Sequence, residues 1–260
     1  MNISMGSAAF SPDVSIVIKT YDNSPVLQQG CAIPTLKDIL GGTLDIIAAQ
    51  TLSPYEIVVV DSSAGDGIAE VVRRYESRLR CALRRVPLAP QQFSYPRALN
   101  LGVQQAKGEV VVSLSGDATP ANVHWLARLV APLAHTEVAG AFSRHVIRRE
   151  LPLSMAERFR LWWRYRSRET TIRRQDAVFS NACSAFRREL ALQFPFDETL
   201  HELEDYAWAR TMQNRGMAIA YVGESEVLHS HTTSSARTLW RMVYYVYLRM
   251  KVDARLHTLK

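Results

Sequence analysis

The sequence predicts an α/β protein built on a mostly parallel sheet flanked by helices. Two observations carry this. Continuous β-branched runs recur through the first half (VSIVI at 14–18, EIVVV at 56–60, EVVVSL at 109–114), and segments with helical spacing separate them. Strands that are apolar without alternation are buried on both faces, as helices on either side of a parallel sheet require. A third observation concerns the strand ends. In such sheets ligands bind beyond the carboxyl ends of the strands, and three of those ends carry polar groups: Thr20-Tyr21-Asp22, Asp61 and Asp117.

The elements follow in order. Residues 14–18 form a buried strand, and 22–34 read as an enlarged functional loop. Residues 36–50 have helical apolar spacing, weakened by Gly41-Gly42. A second buried strand at 56–61 leads through a turn-rich loop into a helix at 68–80. A third strand is read at 83–86, a helix at 95–106, a further strand at 109–114 entering SGDATP, and a helix at 122–135. The second half changes character. Residues 158–174 are dense in arginine and aromatics. Residues 179–186 read as an internal strand. Residues 202–215 read as a helix closed by Gly216, the residue type that tolerates a left-handed cap. A strand at 217–222 precedes His229-Ser230-His231, and 237–255 form a long basic, aromatic helix. The expected organisation is one domain over 1–235 with a C-terminal helix over 236–260.

With 47% hydrophobic and 22% charged residues, the 260-residue chain can build an ordinary core. Lys and Arg number 31 against 25 acids, a net charge of +6, which suits an anionic partner such as a nucleotide, a nucleic acid or an acidic membrane surface. Cys31, Cys81 and Cys183 are too dispersed for a zinc site and fit a reducing compartment. Residues 1–13 lack a basic stretch leading into an apolar core, and no apolar run approaches the roughly 20 residues of a membrane span. A cytoplasmic protein is expected, able to lie on the inner face of the membrane.

Taken in order, VSIVIKTY, EIVVVDSSAGD, FSYPRALNLG, GEVVVSLSGDATP, FPFDETLHELEDYAWA and VLHSH resemble the inverting glycosyltransferases of GT-A fold. They are most similar to the rhamnosyltransferase-like branch that builds bacterial surface polysaccharides. The resemblance runs over residues 14–235, and its strength lies in the order of the pieces rather than in any one of them.

The resemblance implies a nucleotide-sugar donor, a glycan or lipid-linked acceptor, and a divalent cation, Mg²⁺ or Mn²⁺. Breaking the bond to the diphosphate gathers negative charge on the leaving group, which a cation stabilises as a Lewis acid. The family holds the cation with a D-x-D turn; here the turn is Ser115-Gly116-Asp117, so Asp117 alone matches. Without the surrounding pieces Asp117 would read as a turn residue or a helix N-cap before Pro120; with them it reads as the metal ligand. His231, with His229 in reserve, matches a family position for the metal or diphosphate. The acceptor hydroxyl needs a base, and one carboxylate suffices because its proton becomes acidic as the new bond forms. Asp205 matches that base, with Glu204 beside it. Both could also be the acidic first turn of a helix. Trp208 would wall the acceptor site or sit in the core. On the donor side, Asp61 matches the acid that accepts from the pyrimidine N–H, and Thr20 and Tyr21 line base and ribose. Arg97 and Asn100 are placed toward the diphosphate or are helix-surface polarity.

The resemblance favours L-rhamnose from a dTDP donor, with UDP- or GDP-sugars as alternatives. A sugar-phosphate nucleotidyltransferase would carry a glycine-rich basic loop after the first strand, which Lys19-Thr20-Tyr21-Asp22 is not. A basic RNA- or membrane-binding module would give no reason for Asp61, Asp117 and Asp205, and no nucleic-acid partner is expected. In the last helix Arg241, Arg249, Lys251 and Arg255 alternate with Trp240, Tyr244, Tyr245 and Tyr247. That mixture suits a membrane interface, or a helix packed on the domain with a solvated basic face.

Overall fold

The computed structural model describes residue 10, residues 12–21 and residues 35–258; the loop expected over 22–34, with Cys31, lies outside the described residues. Strand β1 (Val14–Thr20) is buried along its length. Helix α1 (Leu36–Ala48) starts on a capping box in which Thr35 and Asp38 satisfy each other's backbone N–H. It leads to β2 (Glu56–Asp61), which pairs in parallel with β1. Helix α2 (Gly67–Tyr75) leads to β3 (Ala82–Pro87), parallel to β2. Helix α3 (Tyr95–Gln105) then crosses back, so that β4 (Val110–Ser115) joins the other side of β1. The strand order therefore reverses between β1 and β4, the place where such sheets open a crevice for ligands.

The second half is mixed. After β5 (Thr119–Pro120) and α4 (Trp125–Val130) come β6 (Val138–Val146), α5 (Met155–Tyr165), β7 (Thr171–Arg173), β8 (Cys183–Arg187) and α6 (Arg188–Gln193). Then follow α7 (Glu204–Asn214), β9 (Ala218–Leu228) and α8 (Ser235–Thr258). The sheet runs β3-β2-β1-β4-β8-β6-β9-β5, with β7 on β9. β8 is antiparallel to β4 and β6, while β6 and β9 are parallel. β6 is not among the strands expected from the sequence. Gly140, Ser143, Arg144 and His145 dilute its apolar pattern, and only its place between β8 and β9 makes it a strand.

Alternate residues of the parallel strands feed two cores. Ile16, Ile18, Ile57 and Val59 pack with α1 and α2, and Val17, Val58 and Val60 pack with α3. Each such fully buried side chain contributes on the order of 1.5–3 kcal/mol. Gly216 closes α7 at φ 80°, the left-handed cap expected of it. Helix α8 packs against α5 and α7. No helix among the described residues is long and apolar enough to cross a membrane.

Candidate active site

The turn after β4 presents Asp117 at the strand-order reversal. Gly116 N–H donates to the Lys19 carbonyl (2.8 Å), and Ala118 N–H donates to the Ser115 carbonyl (2.9 Å). A Cβ on Gly116 would stand 2.9 Å from that Lys19 oxygen, so glycine is what lets the turn lie against β1. Arg148 clamps the same turn. Its guanidinium donates to the Asp117 carbonyl (3.1 Å) and to Thr119 Oγ1 (2.9 Å), and its N–H donates to Ser230 Oγ (3.1 Å).

Ser230 lies between the two histidines that follow β9. His229 Nε2 and His231 Nδ1 each stand 3.6 Å from a carboxylate oxygen of Asp117. One ligand atom from each of the three lies within 4.8 Å of the others. Burial pulls His229 down to about 4 against the opposing charge of Asp117, so near neutrality its imidazole keeps a lone pair. His145 Nδ1 lies 3.4 Å from His229 Nδ1, and its ring stacks on Tyr165 at 4.4 Å. With His145 as acceptor of that hydrogen bond, the lone pair of His229 falls on Nε2, toward Asp117. A carboxylate and two imidazole side chains, with ligand positions left for diphosphate oxygens, fit a divalent cation.

The facing wall carries the acid pair. Leu203 holds φ 66°, a left-handed conformation uncommon for a branched side chain, and it sets the entry of α7. Glu204 and Asp205 begin that helix and line one cavity of about 330 Å³ together with Lys19, Ser115, His229 and His231. Burial and the neighbouring Asp205 carboxylate push Glu204 up to about 7. Burial also pushes Asp205 up, against the pull of Arg164. Asp205 Oδ1 accepts from Tyr206 N–H (2.7 Å).

Beneath the pair lies a cation that sequence reasoning passed over. Lys19 Nζ donates to Ser113 Oγ and to the Asn181 carbonyl (2.8 Å), and Asn181 Nδ2 reaches Glu204 Oε1 at 3.4 Å. Burial draws Lys19 down to about 8, with Glu204 foremost among the charges that resist. The available signal was a lysine closing an otherwise apolar strand. Asn181, His145 and Arg148 gave none, because their parts arise from where the fold puts them.

The remaining expected residues divide. Thr20 and Asp61 sit at the ends of β1 and β2. Asp61 accepts from Thr20 Oγ1 (3.0 Å), Ser63 N–H (2.9 Å) and Arg85 Nε (2.6 Å). Tyr21 stacks on Phe93 at 4.2 Å. Arg97 and Asn100 do not line the cavity. Arg97 pairs with Glu198 (2.9 Å). Asn100 holds both the carbonyl (2.8 Å) and the N–H (3.0 Å) of Phe196, which ties α3 to the segment before α7. Trp208 takes the second of its two expected places. It is buried among Phe179, Phe186 and Phe196, and its Nε1–H donates to the Phe194 carbonyl (3.0 Å). It does not line the cavity: it lies one turn on from Glu204 along the same side of α7, where those rings cover it.

Comparison with known proteins bears on the family and the fold. Glycosyltransferase AglE of Haloferax volcanii is 30% identical over 129 residues, covering 49% of this chain and 37% of that protein. The O-antigen chain rhamnosyltransferase WbaN of Salmonella anatum is 25% identical over 194 residues, covering 70% of this chain and 58% of that protein. The chain thus spans about half the length of these relatives. A solved mannosyltransferase, PcManGT from Pyrobaculum calidifontis in complex with GDP-Man and Mn²⁺, is 24% identical with a TM-score of 0.62 over 85% of this chain and 57% of its own. The shared architecture is the GT-A fold expected from the sequence. Residues 15–193, from β1 through α6, match Glycosyl transferase family 2, and the chain belongs to that family.

Proposed function

We propose that this chain moves a sugar from a nucleoside diphosphate to a hydroxyl of a glycan or lipid-linked acceptor, with inversion at the anomeric carbon. One observation carries the reading. His229 and His231, which cluster with Asp117, line the same cavity as the Glu204–Asp205 pair, a diphosphate site across from a base. The acceptor oxygen bonds to the anomeric carbon, the bond to the diphosphate breaks with its electron pair, and Asp205 takes the hydroxyl proton. Asp117, His229 and His231 would hold a divalent cation, which when bound would supply Lewis-acid stabilisation to the diphosphate; the mixed nitrogen and oxygen donors favour Mn²⁺ over Mg²⁺. Glu204 holds a proton near neutrality beside the base, and Lys19 offsets the charge of the pair from below.

On the donor side, Tyr21 offers an aromatic face to the base and Thr20 lines the ribose. Asp61, already held by Thr20, Ser63 and Arg85, is the acid we assign to the pyrimidine N–H. The donor we favour is dTDP-L-rhamnose, supported by the likeness to WbaN. A GDP-sugar is the variant supported by the GDP-Man complex of PcManGT, and a UDP-sugar is the third choice.

Calorimetric titration with dTDP, UDP and GDP, each with Mn²⁺ and with EDTA, tests the reading. Metal-dependent binding of one diphosphate is expected, and Asp117→Ala should abolish the metal dependence. Asp205→Asn should bind that diphosphate normally and lose about 10²–10⁴-fold in transfer. Failure of all three diphosphates to bind, or wild-type turnover by Asp205→Asn, overturns it.

A further inference from the structure

Helices α5 and α8 wall the cavity with their inner faces, through Leu161, Arg164 and Tyr165 on one and Thr238, Arg241 and Tyr245 on the other. Sugar transfer gives no account of their outer faces. On α5, Met155, Phe159, Trp162 and Trp163 recur at i, i+4, i+7 and i+8, one stripe of a helix. On α8, Trp240, Val243, Tyr247 and Met250 make a second stripe. These side chains lie open to water: 57% of Trp162, 57% of Trp163, 61% of Trp240 and 73% of Val243. Large apolar groups grouped this way on a monomer mark a contact surface.

The charges identify the partner. Helix α5 has one acid, Glu157, and it is turned inward onto Arg160. Helix α8 has one acid, Asp253, which takes the Tyr206 hydroxyl (2.8 Å) and Arg210 (3.2 Å). The outer faces are therefore without carboxylates, while Arg158, Arg237 and Lys251 are exposed. Two cations lie over the exposed rings: Arg166 over Trp163 at 4.3 Å and Lys251 over Tyr247 at 4.7 Å. Protein–protein interfaces are likewise rich in aromatic residues, methionine and arginine, so what separates the two partners here is the lack of any carboxylate on either outer face. Aromatic stripes edged only by cations are what an anionic headgroup layer selects.

We propose that the outer faces of α5 and α8 dock this protein on a bilayer containing anionic lipid, rings at headgroup depth and cations on the phosphates. The surface reaches the rim of the cavity at Met242, which lines the cavity and is 40% exposed. A lipid-anchored acceptor would then arrive at the mouth of the site from the membrane plane. Only that consequence rests on the transferase reading; docking does not.

Sedimentation with vesicles of phosphatidylcholine alone, and of phosphatidylcholine mixed with phosphatidylglycerol, tests it. Retention on the mixed vesicles, weakened by salt, with a blue shift of tryptophan emission, is expected. The triple variant Trp163→Ser, Trp240→Ser, Val243→Ser should bind at least about tenfold more weakly with unchanged circular dichroism and unchanged diphosphate binding. Should that variant misfold, Arg158→Ser with Lys251→Ser serves in its place, at about fivefold per cation. No retention on the mixed vesicles, or retention of the variants equal to wild type, overturns the proposal. So does a concentration-dependent dimer that the same substitutions abolish, which assigns the surface to a second copy of the chain. Vesicle binding without diphosphate binding leaves docking standing and removes the transferase reading; the reverse result does the opposite.

Discussion

At the scale of single residues, Glu204 shows how burial sets chemistry. Its proton is held to about 7 by burial and by Asp205, well above an unfolded glutamate. The folded state therefore favours the protonated form. The stability this contributes is fully present below about pH 4.5 and is lost as pH rises through about 7. Glu204→Gln keeps an acceptor for Asn181 and carries no charge, so it should raise the melting temperature near pH 8 and leave it unchanged near pH 4. A melting temperature that does not change at either pH would mean that Glu204 is not held protonated. Residue legibility follows the same line. Asp117, Asp205, His229 and His231 stood out as polar residues in recognisable pieces. Lys19, Asn181, His145 and Arg148 owe their parts to contacts with distant segments, which a linear pattern does not carry.

At the scale of elements, the joint between α3 and α7 depends on one amide. Asn100 satisfies the buried N–H and carbonyl of Phe196, so Asn100→Ala leaves both unpaired. The expected loss is about 1–3 kcal/mol, read by denaturant unfolding, with diphosphate affinity unchanged. A fall in diphosphate affinity at full stability would return Asn100 to the donor site. The parallel strands were legible because a continuous β-branched run of five or six residues suits a strand buried on both faces and is too short for a helix. β6 was not, since its residues are small and polar, and its partners β8 and β9 come later in the chain. The extra length of β9 beyond the expected 217–222 was hidden for a related reason. Gly223, Glu224 and Ser225 break the apolar run, and pairing with β5 and β6 carries the strand on to Leu228. The last helix was legible as basic and aromatic, but which rings face the cavity was not. Arg241, Tyr245 and Arg249 turn inward, and α5 adds a stripe that the arginine-rich sequence around it had obscured.

At the scale of the whole molecule, the cation cluster bridges distant parts of the sheet, since Asp117 follows β4 and the two histidines follow β9. Ligands held there stabilise the native state by mass action, about 2.7 kcal/mol at a hundredfold excess over the dissociation constant. Mn²⁺ with the preferred diphosphate should raise the melting temperature of the wild type and not that of Asp117→Ala; equal rises in both would place the cation elsewhere. The reversal of strand order between β1 and β4 has a further consequence. Thr20, Tyr21, Asp61 and Asp117 come from the chain up to β5, while Glu204 and Asp205 come from α7. The groups proposed for the donor and those proposed for the acceptor are thus encoded in successive stretches of gene. Recombination after β6 would exchange the acceptor groups while sparing Thr20, Tyr21, Asp61 and Asp117, and His229 and His231, which complete the cluster with Asp117, mark where such a hybrid would have to be kept in register.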